Sequence, residues 1–359
     1  MGDKNIRTIE QLEQYASFTA DERSEIAKII ESHPMSLTQY YLDLIDWDDP
    51  DDPIRRMVIP SKEECGTEGS YDTSGESDNT KVRGLQHKYS QTALILATNQ
   101  CASYCRHCFR KRLAGVVTDE IVTDWDLIVE YLSGHKEITN VLLSGGDPLT
   151  LPNDEIADIL QKLSGVQHLK FIRIGTRIPV VDPDRIIKDD ELLNILRDCS
   201  RERKQLYIVT QFDHPREITP RAVKAINMLS DAHMTVLNQT VLLKGVNDKP
   251  EVLAELQSKL TKNGVTPYYV FQCRPVKTIK HIFQIPLYRA LEIVEETRTM
   301  LDGPSKRFRF VMSHETGKIE VVGRLDDHLY FKYHQAKDKL LAGKLFRKKI
   351  NKNDCWLDL

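Results

Sequence analysis

The 359-residue sequence predicts an α/β fold built on a partial barrel of six β-then-α units. Short segments rich in β-branched and aromatic residues alternate with segments whose apolar residues recur at helical spacing. Strands separated by helices pair in parallel, and their connections cross over in the right-handed sense. Because six units are fewer than a closed eight-stranded barrel needs, we expect a partial barrel or an open curved sheet.

Six segments supply the predicted strands, and a predicted helix follows each of them. The strands are TALILAT (92–98), NVLLSG (140–145), FIRIGT (171–176), QLYIVTQF (205–212), VLNQTVLL (236–243) and PYYVFQC (267–273). The helices are expected within 120–132, 153–165, 189–203, 219–233, 249–264 and 286–301. In sheets of this kind ligands bind at the C-terminal ends of the parallel strands, so we expect the functional side chains there.

The pattern divides the chain into three parts. Residues 1–85 are expected to form a helical N-terminal region, with Thr19 and Glu22 as a helix-capping pair, and an acidic, then Gly- and Ser-rich, irregular connector. Residues 86–304 form the partial barrel. Residues 305–359 form a β-rich segment and tail, in which KRFRFVMSHETGKIEVVG predicts a hairpin or meander instead of a further β-then-α unit.

Composition excludes several classes of protein. The net charge is −3, with 50 basic and 53 acidic residues, so neither nucleic acid nor a membrane surface is an expected partner. The N-terminus MGDKNIRTIE is polar and shows no signal peptide, and the apolar runs are too short to cross a bilayer. Four unevenly spaced cysteines indicate reduced thiols and a cytoplasmic location. They are Cys65, Cys199, Cys273 and Cys355.

Three further cysteines, Cys101, Cys105 and Cys108, lie within eight residues after the first strand. A structural zinc site usually has four protein ligands, and the sequence offers no second cysteine pair. A four-iron cluster held by only three thiolates leaves one iron free for a substrate or cofactor, as in radical enzymes that use S-adenosylmethionine (SAM). The alternatives are a redox-inert trio and a zinc site completed by His107.

The longer segment YCRHCFRKR resembles the lysine 2,3-aminomutase family of radical SAM enzymes. GLQHKYSQTALILATNQ, NVLLSGGDPLTL, TQFDHPREIT and LNQTVLLKGVND are similar to family segments in the family's order, across residues 36–323. The resemblance implies a radical SAM barrel with a SAM-bound [4Fe-4S] cluster that generates a 5′-deoxyadenosyl radical. It also implies pyridoxal phosphate (PLP), which carries the amino group of an amino acid as that group moves to the neighbouring carbon.

The resemblance also implies roles for individual residues near the cysteines. Gly145, Gly146 and Asp147 are expected to bind SAM, and glycines additionally allow a close approach of the backbone to a ligand. Arg110 is expected to hold the substrate α-carboxylate, because a guanidinium grips a carboxylate through two hydrogen bonds. The alternative is that RKR is a solvated basic run, and Lys111 in particular is expected to be solvated.

Residues later in the chain complete the expected site. His214 either contacts a cofactor or is an ordinary loop histidine. Lys318 is expected to hold PLP through its ε-amine, with the first residue of a returning strand as the alternative. Asp248 is expected to recognise the far end of the substrate. Lysine-acting members hold the distal ammonium with a second aspartate, but Val311 stands at that place here, which argues against lysine as the substrate.

The sequence therefore predicts a PLP-dependent radical SAM aminomutase, an isomerase that acts on a small amino acid. The expected electron donor is a protein such as flavodoxin or ferredoxin, and a homo-oligomer is compatible with the sequence. The lone Cys355 predicts no zinc site at the C-terminus. The alternative functions are a radical SAM epimerase or modifier of a protein-bound lysine without PLP, and a non-catalytic iron–sulfur protein.

Overall fold

A computed structural model describes residues 5–359, in which twelve strands form one sheet that follows sequence order. The strands are β1 (Thr80–Val82), β2 (Leu85–Tyr89), β3 (Thr92–Thr98), β4 (Asn140–Gly145), β5 (Phe171–Gly175), β6 (Gln205–Thr210), β7 (Thr235–Leu242), β8 (Thr266–Gln272), β9 (Arg309–His314), β10 (Gly317–Leu325), β11 (His328–Ala336) and β12 (Leu345–Lys349).

The central part of the sheet is parallel and its two flanks are antiparallel. Strands β3 to β9 pair in parallel with their neighbours. Strands β1 to β3 and β9 to β12 pair antiparallel. The six predicted strands are β3 to β8, so the predicted partial α/β barrel is confirmed. Strand β9 is the first strand of the predicted meander, and it also pairs with β8 as a seventh parallel strand.

Helices pack against this sheet and account for most of the remaining regular structure. The α-helices among the described residues are α1 (Ile9–Leu12), α2 (Ala20–Ser32), α3 (Gln39–Leu42), α4 (Pro53–Val58), α5 (Glu76–Asn79), α6 (Trp125–Gly134), α7 (Asn153–Gly165), α8 (Ile178–Val181), α9 (Asp184–Ile187), α10 (Asp190–Glu202), α11 (Pro220–Asp231), α12 (Pro250–Lys262), α13 (Lys280–Phe283) and α14 (Leu287–Thr299). Short 3₁₀ helices span Lys62–Cys65, Pro148–Thr150, Pro215–Glu217 and Lys339–Leu341.

Helix α7 illustrates why these segments are helical. Its buried residues Ile156, Ile159, Leu160 and Leu163 recur at intervals of three and four, which places them on one face. Full burial of each such side chain contributes roughly 1.5–3 kcal/mol. The opposite face is polar, so the helix buries one apolar stripe in the core and exposes its other side to water. None of the helices of the described residues is long and apolar enough to cross a membrane.

The N-terminal region matches the prediction in part. Thr19 and Glu22 form the expected capping box at the start of α2. The connector was expected to be irregular, but it contains α4, α5 and the 3₁₀ helix Lys62–Cys65, and it places two carboxylates, Glu64 and Glu76, in the interior. These two residues matter for the site, because both lie against the cysteine-bearing loop.

Candidate active site

One cavity of about 340 Å³ lies at the C-terminal ends of the parallel strands. Residues that are far apart in the sequence line this cavity together. They include Cys101, Cys105, Cys108, Arg110, Gly145, Gly146, Asp147 and Lys318. These side chains therefore converge at the predicted position of the site, the C-terminal ends of the strands. The cavity has the size of a typical small-molecule site.

The three cysteines lie on the loop that follows β3. Burial raises the pKa of all three thiols, that of Cys105 to about 11. The Cys105 sulfur also accepts a hydrogen bond from Nη1 of Arg177 at 2.5 Å. Because burial disfavours an uncompensated thiolate, positive charge must accompany deprotonation of these groups.

His107 is engaged by polar groups of the protein. Its Nε2 lies 3.3 Å from Oδ2 of the buried Asp213. Among residues 5–359, no group of three or more His, Cys, Asp or Glu side chains is arranged to hold a metal ion. In a four-iron cluster each thiolate bonds to a different iron, so the three sulfurs need not converge on one point. The cysteine geometry therefore fits a cluster better than a zinc ion completed by His107.

Glu64 anchors the cysteine loop from behind. Its carboxylate accepts hydrogen bonds from Arg106, with Nη2 at 2.5 Å, and from the ammonium of Lys111. Burial opposes ionisation, but Arg106 and Lys111 hold the pKa of Glu64 below its usual value. The expectation that Lys111 is solvated is wrong, since its side chain is only 5% exposed. The ion pair explains how this lysine can be buried.

Glu76 performs the same task for the arginines of the RKR run. It accepts hydrogen bonds from Nη2 of Arg110 at 3.0 Å and Nη2 of Arg112 at 2.6 Å. Burial alone would raise the pKa of Glu76, but Arg110, Arg112 and Arg274 lower it to about 2. Arg110 lines the cavity, and its Nη1 donates to the Ser144 hydroxyl at 3.0 Å. The basic run is therefore paired and buried.

Sequence reasoning missed Glu64 and Glu76. Both lie in a connector whose composition is typical of irregular structure, and their partners are 34 to 47 residues away. The only sequence signal was the unusual density of basic residues after the last cysteine. A buried run of this kind requires carboxylates from elsewhere in the chain.

The SGGD turn requires its two glycines. Gly145 has φ +108°, and a Cβ atom there would lie 2.3 Å from the Thr98 carbonyl oxygen. A Cβ atom on Gly146 would lie 2.2 Å from the Gln100 carbonyl oxygen. Any side chain at these positions would therefore collide with the backbone that leads into the cysteine loop. The glycines hold the ends of β3 and β4 together.

Asp147 fastens the same turn to the next strand. Its Oδ2 accepts hydrogen bonds from the Thr176 hydroxyl at 2.9 Å and the Arg177 backbone N–H at 2.7 Å. Its Oδ1 accepts from the Leu149 backbone N–H at 3.1 Å. Burial raises the pKa of Asp147 to about 6. This carboxylate is therefore already engaged within the protein and fixes the shape of the turn.

Lys318 reaches the cavity from β10, whose neighbours in the sheet are β9 and β11, whereas the cysteine loop follows β3. Its ammonium lies 4.2 Å from the centre of the Tyr269 ring. Burial, followed by the nearby cations Arg173, Arg274 and Lys88, lowers the pKa of Lys318 to about 7. A substantial fraction of this amine is therefore neutral near pH 7, and a neutral amine is the form that attacks a carbonyl carbon.

Comparison with known proteins identifies relatives over nearly the whole chain. Residues 95–256 match the family model described as the Radical SAM superfamily. A protein of Aquifex aeolicus, named as a candidate L-lysine 2,3-aminomutase, is 43% identical over 99% of this chain and 95% of its own length. The L-lysine 2,3-aminomutase of Clostridium subterminale is 38% identical over 83% of this chain and 71% of its own length.

The chain belongs to the lysine 2,3-aminomutase family. It is therefore a radical SAM aminomutase, an isomerase, and its cofactors are a [4Fe-4S] cluster, SAM and PLP. The glutamate 2,3-aminomutase of Clostridioides difficile is 35% identical over 83% of this chain and 69% of its own length. Among solved structures, a radical SAM methyltransferase from Sphaerobacter thermophilus is similar at a TM-score of 0.40 and 14% identity, over 63% of this chain and 68% of that one.

The cavity of this aminomutase offers groups that fit each cofactor. Three thiols on one loop fit a cluster with one open iron. The turn at Gly145 and Gly146 presents backbone without side chains beside that loop. The lowered pKa of Lys318 fits an amine that binds an aldehyde. Nε of Arg173 is buried without a hydrogen-bond partner, and such a donor fits an anionic group like the PLP phosphate.

Two expected site residues do not line the cavity. His214 caps the 3₁₀ helix Pro215–Glu217, where its Nδ1 accepts a hydrogen bond from the Arg216 backbone N–H at 3.2 Å. Asp248 closes a turn, where its Oδ2 accepts a hydrogen bond from the Gly245 backbone N–H at 3.0 Å. The structure thus gives both residues local backbone contacts and brings neither to the cysteines and Lys318.

Proposed function

We propose that this aminomutase moves the amino group of an α-amino acid from C2 to C3. One hydrogen moves from C3 to C2, so substrate and product are isomers and no atom is gained or lost. Relatives named for lysine and for glutamate 2,3-migration support this reaction. The observation that carries the proposal is that one cavity combines the cysteine trio with Lys318.

The proposal gives the cluster side of the cavity three tasks. Cys101, Cys105 and Cys108 hold the [4Fe-4S] cluster. Gly145, Gly146 and Asp147 form the SAM site, in which the glycine backbone faces the ligand and Asp147 fixes the turn. Arg110 holds the substrate α-carboxylate with the donors that Glu76 and Ser144 leave free. Its pairing with Glu76 keeps the guanidinium in one orientation, which favours a defined substrate position.

Lys318 holds PLP on the opposite side of the cavity. When bound, PLP carries the migrating nitrogen, and SAM supplies the group that abstracts hydrogen. The cavity lowers the pKa of Lys318 to about 7, so a substantial fraction of its amine is neutral near pH 7, which favours attachment of the cofactor. This environment favours the aminomutase over a radical SAM epimerase or a modifier of a protein-bound lysine, because a reaction without PLP needs no such amine.

The proposal also includes an electron donor, a cellular location and an oligomeric state. Reduction of the cluster requires one electron, which we assign to a protein such as flavodoxin or ferredoxin. The unevenly spaced cysteines outside the trio support a cytoplasmic location. A homo-oligomer is compatible with the proposal.

The test uses anaerobically reconstituted protein with SAM, PLP, dithionite and a pool of amino acids. Chromatography and mass spectrometry should detect a new amino acid of unchanged mass. Lys318→Ala should lose the isomer and the PLP absorption band but keep its iron. Lys332→Ala, an exposed lysine on the neighbouring strand β11, is the matched control and should behave like the wild type. Accumulation of 5′-deoxyadenosine without an isomer would instead favour a radical SAM enzyme of a different outcome.

A further inference from the structure

Arg274 lies between the cysteine side and the Lys318 side of the cavity. It follows the end of β8 by two residues, and its guanidinium lies 3.9 Å from the centre of the Phe109 ring. Phe109 is the residue next to Cys108. Nη2 of Arg274 donates to the Ser313 hydroxyl at 3.0 Å, and Ser313 is the cross-strand partner of Lys318. Arg274 therefore connects the two sides that the proposed reaction must bring to one substrate.

The charge of Arg274 lacks a direct counterion in the protein. Its Nη1 donates to the Ser74 hydroxyl at 2.8 Å, so both of its hydrogen-bond partners are neutral. No carboxylate of residues 5–359 forms an ion pair with it, since Arg110 and Arg112 occupy the nearby Glu76. Burial lowers the pKa of Arg274 to about 10, so the guanidinium stays protonated at neutral pH. A buried cation without an anion is costly unless a ligand provides one.

No carboxylate that lines the cavity is free to bind a cationic substrate side chain. Of the carboxylates that line it, Glu76 is engaged by arginines and Asp147 by its own turn. The other arginines that line the cavity, Arg110, Arg173 and Arg177, are cations as well. An ammonium in this space would therefore meet cations, whereas an anionic group would meet Arg274 with several free N–H donors.

We propose that Arg274 binds a side-chain carboxylate of the substrate, so that this chain acts on dicarboxylic α-amino acids. This inference rests on the proposed function. Chemistry narrows the candidates further, because moving the amino group of aspartate from C2 to C3 regenerates aspartate. Glutamate is the shortest dicarboxylic substrate with a distinct product, 3-aminopentanedioate, and 2-aminoadipate is the next.

The PLP phosphate is a second anion that Arg274 could take in principle. Arg173 offers a separate buried donor on β5, so the phosphate has another candidate partner in the cavity. Arg274 lies instead against Phe109, near the cluster loop. The experiment therefore has to separate a substrate carboxylate from the phosphate and from the α-carboxylate.

The experiment measures binding to PLP-loaded protein in the absence of SAM and reductant. Glutamate, glutamine, 2-aminoadipate and lysine are titrated in turn, and the change in the PLP absorption spectrum reports binding. Glutamine is the neutral counterpart of glutamate with the same shape. Arg274→Gln should reduce the preference for glutamate over glutamine by about 10- to 100-fold, the usual loss for a charge-assisted hydrogen bond. Glutamine affinity should change by less than about threefold.

Two further variants keep the result interpretable. Arg274→Lys retains the charge and should keep part of the preference for glutamate, which a folding defect would not explain. Arg289→Gln removes an exposed arginine from α14 and should leave every affinity unchanged. Loss of PLP from Arg274→Gln would overturn the inference, because Arg274 would then hold the phosphate. Equal losses for glutamate and glutamine would also overturn it, because Arg274 would then hold the α-carboxylate.

The same titrations separate this inference from the proposed function. If the PLP spectrum responds selectively to glutamate but the complete assay forms no isomer, Arg274 still binds the side-chain carboxylate, and the proposed amino migration is contradicted. Isomer formed preferentially from lysine or a neutral amino acid would support the migration and overturn the role of Arg274.

Discussion

The two sides of the cavity differ in how their buried charges are balanced. On the cysteine side, Glu64 forms ion pairs with both Arg106 and Lys111, while Arg177 pairs with Glu217 at 2.7 Å. On the other side, Lys88, Arg173, Arg274 and Lys318 are basic residues with no carboxylate of residues 5–359 in ion-pair contact. The cysteine side, here called the paired side, has carboxylate partners for its buried cations within the protein. The Lys318 side, here called the cationic side, requires anions from its ligands.

This difference follows from the separate tasks of the two sides. A loop that positions a cluster must keep its shape before the iron arrives, and internal ion pairs fix such a loop. A site for PLP and an amino acid receives a phosphate and at least one carboxylate, so its unpaired cations are neutralised on binding. We therefore expect ligands to stabilise the cationic side, and substitutions on the paired side to affect folding.

The largest expected effect is that of breaking an ion pair on the cysteine side. Glu64→Gln leaves Arg106 and Lys111 buried without a carboxylate, and we expect a loss of about 3–5 kcal/mol in the free energy of unfolding. Urea denaturation of the cofactor-free protein measures this loss. Glu63→Gln, at the neighbouring residue with a 52% exposed side chain, should change stability by less than about 0.5 kcal/mol. Similar losses for both variants would contradict the pairing argument.

A smaller effect is expected where the two strand ends meet. Gly146→Ala forces a Cβ atom against the Gln100 carbonyl oxygen and should cost about 1–3 kcal/mol. It should also weaken SAM binding to the reconstituted protein, as measured by equilibrium dialysis. Gly134→Ala is the control, since no heavy atom lies within 4 Å of its added Cβ. Unchanged SAM affinity in Gly146→Ala would place SAM away from this turn.

The cationic side predicts a pH dependence of PLP loading. Because the pKa of Lys318 is about 7 in the folded protein, its neutral form increases about tenfold between pH 6 and pH 8. The initial rate of PLP incorporation, followed by absorbance, should rise over this interval and level off above it. Free Nα-acetyl-lysine, with a pKa near its ordinary value, should instead continue to react faster up to about pH 10. Parallel profiles would show that the protein does not lower the pKa of Lys318.

The same pKa shift makes a prediction about stability. The folded state binds fewer protons at Lys318 than the unfolded state between about pH 7 and pH 10.5, so this lysine destabilises the cofactor-free protein most below pH 7. Its unfavourable contribution decreases as the pH rises. Lys318→Met should therefore raise the free energy of unfolding more at pH 7 than at pH 10. A gain that does not depend on pH would point to packing instead of charge.

The smallest effect concerns a residue outside both sides. His214→Ala removes the side-chain cap of a 3₁₀ helix and should cost about 0.5–1 kcal/mol. PLP content and SAM affinity should remain at the wild-type level. A loss of either cofactor beyond this stability change would assign His214 to the cofactor site after all.

The sequence alone determined the features that depend on neighbouring residues. Strand β3 and helix α7 have the predicted bounds, because their patterns of apolar residues determine which face is buried. The cysteine trio and the SGGD turn each lie within one short loop, so both motifs can be recognised from the spacing of neighbouring residues in the sequence. Lys318 was predicted from the resemblance of this sequence to the lysine 2,3-aminomutase family. The structure places Lys318 in the cavity, and its role as the PLP lysine stays a prediction.

Only the tertiary structure decided which charges meet. Glu64 and Glu76 lie in a connector whose sequence is typical of irregular structure, and Arg274 follows a strand with no motif of its own. Their roles depend on partners 34 to 200 residues away, which local patterns do not contain. For the same reason, Asp248 was expected in the site, and His214 was expected either there or in a loop, but the side chains of both accept hydrogen bonds from nearby backbone. The local sequence determines the elements, and electrostatic complementarity depends on how those elements pack.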